Sequence, residues 1–151
     1  MQPIIISPDK HLLNARGIYV WSIDRVKDAW AQAQREYIAA LPLISNVVLL
    51  MGIPAAGKTT WLNSNAQPDT VYFDATFDLA WKRKPYITAA HEAQRPVTVV
   101  WLDTLLATCL ARNALRTPDR RVPDHILTAQ AAKLKSAPPS ESEGFTLLRL
   151  R

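Results

Sequence analysis

Residues 47–61 read VVLLMGIPAAGKTTW, five apolar residues followed by a turn that ends Gly57-Lys58-Thr59-Thr60. An apolar run this short, stopped by glycine and proline, predicts a strand buried on both faces of a parallel sheet. From Gly52 to Thr59 the turn is GIPAAGKT, a full match to G-x-x-x-x-G-K-[ST]. The spacing has a physical reason. A loop that closes on a helix N-terminus points several backbone N–H groups inward, and the helix dipole adds positive potential there. Gly57 lets the backbone approach a phosphate group, Lys58 reaches the β- and γ-phosphates, and the Thr59 hydroxyl is placed to ligate Mg²⁺. The expected nucleotide contacts are therefore Gly52, Pro54, Ala55, Ala56, Gly57, Lys58, Thr59 and Thr60, with ATP and Mg²⁺ as the ligands. Many such loops carry a third glycine where this chain has Ala55. A positive φ at that position would cost alanine about 1 kcal/mol, so the loop is expected to avoid it.

Outward from the loop, strands and helices alternate. Upstream, IIIS (4–7) and GIYV (17–20) read as short strands, and Ser22 as the N-cap of a helix over 23–40 that Pro42 ends. Downstream, residues 58–66 suit a helix, 70–74 (TVYFD) a strand, and Pro85 the first turn of a helix running to about 94. Residues 96–102 form the next strand, with Asp103 or Thr104 capping a helix to about 116. Pro123 starts another helix to about 136, and 145–150 (FTLLRL) is the last strand. Repeated strand–helix units predict an α/β fold, a parallel sheet between two helical layers. Residues 1–45 are expected as an N-terminal extension packed on a core domain of 46–151.

The composition narrows the function classes. Of 151 residues 48% are hydrophobic and 21% charged, which predicts a folded chain. The single cysteine, Cys109, offers no disulfide framework or thiolate cluster. His11, His91 and His125 share no metal-ligand spacing. No apolar run approaches the ~18 residues of a membrane span, and the N-terminus lacks a signal-peptide pattern, so a cytoplasmic setting is expected. The net charge of +5 points toward an acidic partner. Much of it is concentrated in residues 112–135, where Arg112, Arg116, Arg120, Arg121, Lys133 and Lys135 face only Asp119 and Asp124.

Strand ends face the ligand crevice of an open α/β sheet, so Asp74, which ends TVYFD, is a candidate general base or magnesium-water ligand; a helix-capping role is the alternative. Asp78 is a weaker candidate and a better helix cap. Arg112 and Arg116, four apart, project from one helix face and suit a lid that closes over phosphates, although a solvated basic face would show the same spacing. Lys82-Arg83-Lys84 beside Trp81 is a candidate acceptor grip, with packing the alternative for the tryptophan. Trp61 and Trp101 read as core, and Trp21 and Trp30 as docking the N-terminal helix.

The stretch ARNALRTPDRRVPDHIL (111–127), with GIPAAGKTTW before it and SEGF (142–145) after it, resembles the P-loop kinases that include the polynucleotide 5′-kinases. The zeta-toxin sugar-nucleotide kinases are more distantly similar. The resemblance covers about residues 46–150. It implies a P-loop kinase-like αβα sandwich with a helical arginine lid over about 112–136. It further implies Lys58 and Thr59 on ATP and Mg²⁺, Arg112 and Arg116 on the phosphates, and Asp74 as the general base. In those kinases an Asp-x-x-Arg element grips the acceptor, and this chain has Phe77 where the arginine would fall. The stretch DATF resembles an Asp-x-Thr-Asn element found later in those kinases, as though an intervening segment were missing. Lys82, Arg83, Lys84, Arg120 and Arg121 are then the candidates for acceptor contact. The expected activity is transfer of the γ-phosphate to a hydroxyl on a nucleic acid, either a 5′-OH end or a hydroxymethylated base. A small acceptor (a nucleoside, sugar nucleotide or antibiotic) and a partner-dependent ATPase module are the alternatives.

Overall fold

The computed structural model describes residues 1–151. Five strands, β1 (Ile4–Ile6), β2 (Asn46–Met51), β3 (Thr70–Asp74), β4 (Val97–Leu102) and β5 (Thr146–Leu150), form one sheet in the order β1-β3-β2-β4-β5. Every pairing is parallel. The helices are α1 (Ile23–Ala40), α2 (Lys58–Asn65), α3 (Ala80–Glu92), α4 (Leu106–Ala114) and α5 (Asp124–Ser136). This is the α/β architecture of a P-loop kinase-like domain. No helix is long and apolar enough to cross a membrane.

The strand that leads into GIPAAGKT is the central one. Val47, Leu49, Leu50 and Met51 are all at most 1% exposed, because β3 and β4 flank the strand and helices cover both faces. α1 and α3 share a face, shown by an aromatic cluster that joins them to β3. Tyr37 meets Tyr86 and Phe73, Trp30 meets Phe73 and Phe77, and the Tyr37 hydroxyl donates to the Tyr86 carbonyl at 2.7 Å. Right-handed crossovers put α2 on the other face.

Several expectations change. The first 45 residues, expected as an extension packed on the core, contribute a strand to the sheet itself: β1 is its edge strand, in register with β3 from Ile4 opposite Val71 to Ile6 opposite Phe73. GIYV is no strand; it is the return arm of a small turn held by one bridge, Leu13 to Tyr19. α3 begins at Ala80, so Pro85 lies inside the helix beyond its first turn. The proline removes one bond to the Trp81 carbonyl, a loss offset by burial of Arg83, Tyr86, Ile87 and Ala90 on the helix's inner side. Neither Asp103 nor Thr104 caps α4. The Asp103 carboxylate accepts from Arg149 Nε at 2.8 Å, and the Thr104 hydroxyl donates to the Ala56 carbonyl at 2.7 Å. Asp78 does not cap α3 either, since it is 1% exposed and pairs with Lys82 Nζ at 2.7 Å. Trp30 docks α1 as expected, whereas Trp21 is 71% exposed.

The Ser-Glu-Gly-Phe stretch is a structural lock. Glu143 accepts from Arg83 Nε and Nη2, each at 3.0 Å, and Arg83 also donates to the Phe77 carbonyl at 2.6 Å. Gly144 has φ +106, and a Cβ there would lie 2.6 Å from His91 Cε1, so only glycine lets the chain pass beneath α3. Glu143→Ala should therefore strand a guanidinium that is 1% exposed. The expected cost is about 3 kcal/mol, a melting temperature lower by roughly 6–12 °C. Calorimetry of the variant checks this, and a loss under 2 °C would show that Arg83 finds other partners.

Candidate functional site

Parallel pairing brings the carboxyl ends of all five strands to one edge, and the loop Gly52–Gly57 opens there. Its two glycines are each required. A Cβ on Gly52 would lie 2.9 Å from the Leu102 carbonyl oxygen, because β4 runs past the start of the loop. Gly57, at φ +103, turns the chain into α2. Ala55 does adopt a positive φ, +65, against expectation. The left-handed residue lets the turn close with Ala56 N–H on the Ile53 carbonyl at 3.1 Å, at a strain of about 1–2 kcal/mol.

Lys58 folds back over this loop. Its Nζ donates to the Gly52 carbonyl at 2.8 Å and to Ile53 at 3.4 Å. Burial pushes its pKa below the ordinary lysine range, and the nearby carboxylates of Asp74 and then Asp9 oppose that shift. Asp74 ends β3 beside the loop strand. Burial raises its pKa, Lys58 pulls it back, and Asp9 pushes it further up. Thr59 and Thr60 are exposed at the start of α2. A hydroxyl at Thr59 and a carboxylate at Asp74 are hard oxygen donors of the kind magnesium takes alongside phosphate and water, so the residues present fit Mg²⁺.

The arginines approach from α4. Arg112 Nη1 donates to the Ala55 carbonyl at 3.3 Å, which places its guanidinium on the phosphate loop. Arg116 lies just past the end of α4, in the turn where its N–H bonds the Asn113 carbonyl at 3.1 Å. Its charge still reaches Lys58 and Tyr19. Asn113, between the two arginines and 0% exposed, holds this turn. Its amide donates to the Val122 carbonyl at 2.6 Å and its oxygen accepts the Val122 N–H at 3.1 Å. Arg121 bonds the Arg116 carbonyl at 2.9 Å, and Arg120 stacks on Tyr19 with its guanidinium carbon 4.9 Å from the ring centre.

The predicted acceptor grip is not assembled. Arg83 is committed to Glu143 and Phe77, Lys82 to Asp78, and Lys84 is left exposed alone on α3. What stands in the site instead is Asp9. Register sets Ile6 beside Phe73, so the chain leaving β1 rises next to Asp74. Ser7 and Pro8 then turn it into a short 3-10 helix, with the Ser7 hydroxyl accepting the Asp9 N–H at 3.3 Å. The signal was a strand, IIIS, followed by Pro-Asp.

Residues 64–137 match the family model described as an AAA domain. The match takes in β3, α3, β4 and both lid helices, just under half of the chain, and starts after the phosphate loop, so loop and match are separate observations. A search of curated proteins finds no match. Together the sheet, the loop and the match describe a nucleotide-binding P-loop fold.

The raised pKa of Asp74 has a consequence for stability. In the unfolded chain this carboxyl titrates near 3.9, as aspartates do. The folded state holds its proton to higher pH, so it binds more protons across that window and stability falls as pH rises through it. Asp74→Asn should thus melt above the wild type at pH 7 without nucleotide, with the gap closing as pH falls below about 4. Thermal scans at the two pH values test this, and an equal gap at both would remove the titration as its cause.

Proposed function

We propose that this chain is an ATP-dependent kinase that transfers the γ-phosphate to a hydroxyl on a nucleic acid, either a 5′-OH end or a hydroxymethylated base. One observation carries the reading. Two carboxylates, Asp74 at the end of β3 and Asp9 just beyond the adjacent β1, both favour the charged form of the loop lysine, while Arg112 reaches the loop from α4 and Arg116 follows in the next turn. A nucleotide switch needs one such carboxylate, on the metal side. A phosphotransferase needs a second to take the acceptor's proton.

Their environments divide the labour. Asp74 is largely withdrawn from water on the strand next to the loop, the position suited to a magnesium-bound water. Asp9 is exposed, in the 3-10 helix that follows the next strand out. That side is open to an acceptor. Asp9 takes the hydroxyl proton as the acceptor oxygen bonds to the γ-phosphorus and the bond from that phosphorus to the β–γ bridging oxygen breaks, releasing ADP. Lys58 and the two arginines stabilise the charge that spreads over the transferring group. Magnesium, when bound, neutralises the β- and γ-phosphate oxygens. The +5 net charge and the cations of the lid suit a polyanionic acceptor better than a small neutral one.

Labelled ATP with 5′-OH or hydroxymethylated oligonucleotides tests the proposal directly. Transfer to either supports it, and transfer to a nucleoside or sugar nucleotide alone overturns the acceptor class. Lys58→Ala should abolish transfer while the fold persists by circular dichroism. Asp9→Asn should lower kcat by about 10²–10⁴ with nucleotide affinity unchanged. Wild-type turnover in Asp9→Asn, with the loss found in Asp74→Asn, would return the base to Asp74.

A further inference from the structure

Residues 12–22 join the short 3-10 helix after β1 to α1, and they are built as a rigid turn rather than a loose connection. Asn14 Oδ1 accepts the N–H groups of Arg16 and Ile18 at 2.8 and 3.1 Å, and Val20 N–H bonds the Leu12 carbonyl at 2.9 Å. Arg25 ties the base of the turn down through the carbonyls of Val20 and Leu12, at 2.7 and 3.1 Å. The turn then reaches the lid. Tyr19 N–H donates to Asp119 Oδ2 at 3.2 Å, and Arg120 lies on the Tyr19 ring. Burial raises the Tyr19 pKa most, and the charges of Asp9, Arg120, Arg116 and Asp74 also act on its hydroxyl. Two residues on, Trp21 exposes 71% of its surface.

An indole left in water two residues from a tyrosine that already carries a guanidinium is an arrangement with no packing purpose. Alternate residues of an extended segment share a side, which puts Trp21 in line with Tyr19. The cation placed there is Arg120, on the Tyr19 ring, with Arg116 in the same turn, against Asp119, whose carboxylate takes the Tyr19 N–H. Aromatic faces between cations fit one ligand chemistry, unpaired nucleobases on a phosphate backbone.

We propose that Tyr19, Trp21 and Arg120 form the acceptor subsite, and that it selects an unpaired nucleotide by stacking while the lid cations hold its phosphates. The proposal rests on the nucleic-acid reading above and deepens it: the acceptor must be single-stranded, frayed or flipped out, because bases stacked inside a duplex present no free face. It also gives residues 1–22 a role on the acceptor side. The same turn that supplies the stacking surface is bonded to the lid through Asp119.

Binding and transfer are measured separately, so the two readings fail separately. Fluorescence anisotropy with a labelled single-stranded 12-mer reports binding to the full chain, with thermal melting as the check on folding. Trp21→Ala and Tyr19→Ala should each weaken binding about tenfold or more, Tyr19→Phe should bind like wild type, and a blunt duplex should bind more weakly than the single strand. Among variants that transfer phosphate, the loss should appear in the acceptor KM rather than in kcat. Trp21→Ala, at an exposed position, keeps the test valid if Tyr19→Ala fails to fold. Binding within twofold of wild type in Trp21→Ala, equal affinity for the blunt duplex, or no single-strand binding by the wild type overturns the subsite. Stacking-dependent binding without any phosphate transfer supports the subsite and overturns the kinase instead.

Discussion

A lysine ammonium folded back on two carbonyls of its own loop is the constraint around which the rest of the structure is arranged. Lys58 follows a strand whose last three residues are apolar and buried, and burial works against its charge. The chain answers by bringing carboxylates to it rather than by exposing it. Asp74 arrives on the neighbouring strand and Asp9 from the strand beyond, and both favour the charged form. Neither closes a hydrogen-bonded ion pair with it; the lysine instead bonds Gly52 and Ile53. Those bonds are of a kind a phosphate can replace, so the ground state holds the cation ready without neutralising it.

That arrangement explains why the sheet recruits its edge strand from the N-terminus. With β3 beside the loop strand, the position outside β3 must be filled for the Asp74 edge to be covered and for a second carboxylate to reach the site. β1 does both with three residues. α1 then returns along the face it shares with α3, and the cluster of Trp30, Tyr37, Phe73, Phe77 and Tyr86 fastens the two helices to β3. Phe77 is held at φ +51 within that cluster, a strained value for a bulky residue. Its carbonyl receives Arg83, so the strain is sustained by packing and by a buried charge together. The turn that follows Asp74 is thereby rigid from both sides.

What the sequence made legible was set by the range of the forces involved. The loop motif, the Ser22 cap, the limits of α1 and the buried runs of β2 and β3 all follow from contacts within a few residues, and all appear where periodicity and capping place them. The misreadings involve partners far along the chain. Arg83 read as an acceptor cation because Glu143, sixty residues away, is invisible to local pattern. Thr104 read as a cap because its true acceptor, Ala56, lies on another element. IIIS reads locally as a strand, but its pairing with β3, which brings Asp9 toward the site, lies far along the chain. Ala55 was expected to avoid positive φ on intrinsic cost alone, but closure of the loop outweighs about 1–2 kcal/mol of strain.

The lid shows how a strongly cationic segment can be folded before its anion arrives. Four arginines between 112 and 121 repel one another, yet the turn that carries them is closed without a counter-ion: both amide atoms of Asn113 bond Val122, and the Arg121 guanidinium donates to the Arg116 carbonyl. Asp78, 1% exposed, places one oxygen on Lys82 at 2.7 Å and the other 3.6 Å from Lys133, anchoring the far end of α5 to the start of α3. At the other end Asp119 and Arg120 meet the turn of residues 12–22. The lid is thus fixed at its root and touched at its tip, while Arg112 and Arg116 between them keep no carboxylate partner. Because their charges are unspent, the field at the loop stays positive, and the protein holds its two lid arginines in place without paying for them with a counter-ion that a phosphate would have to displace.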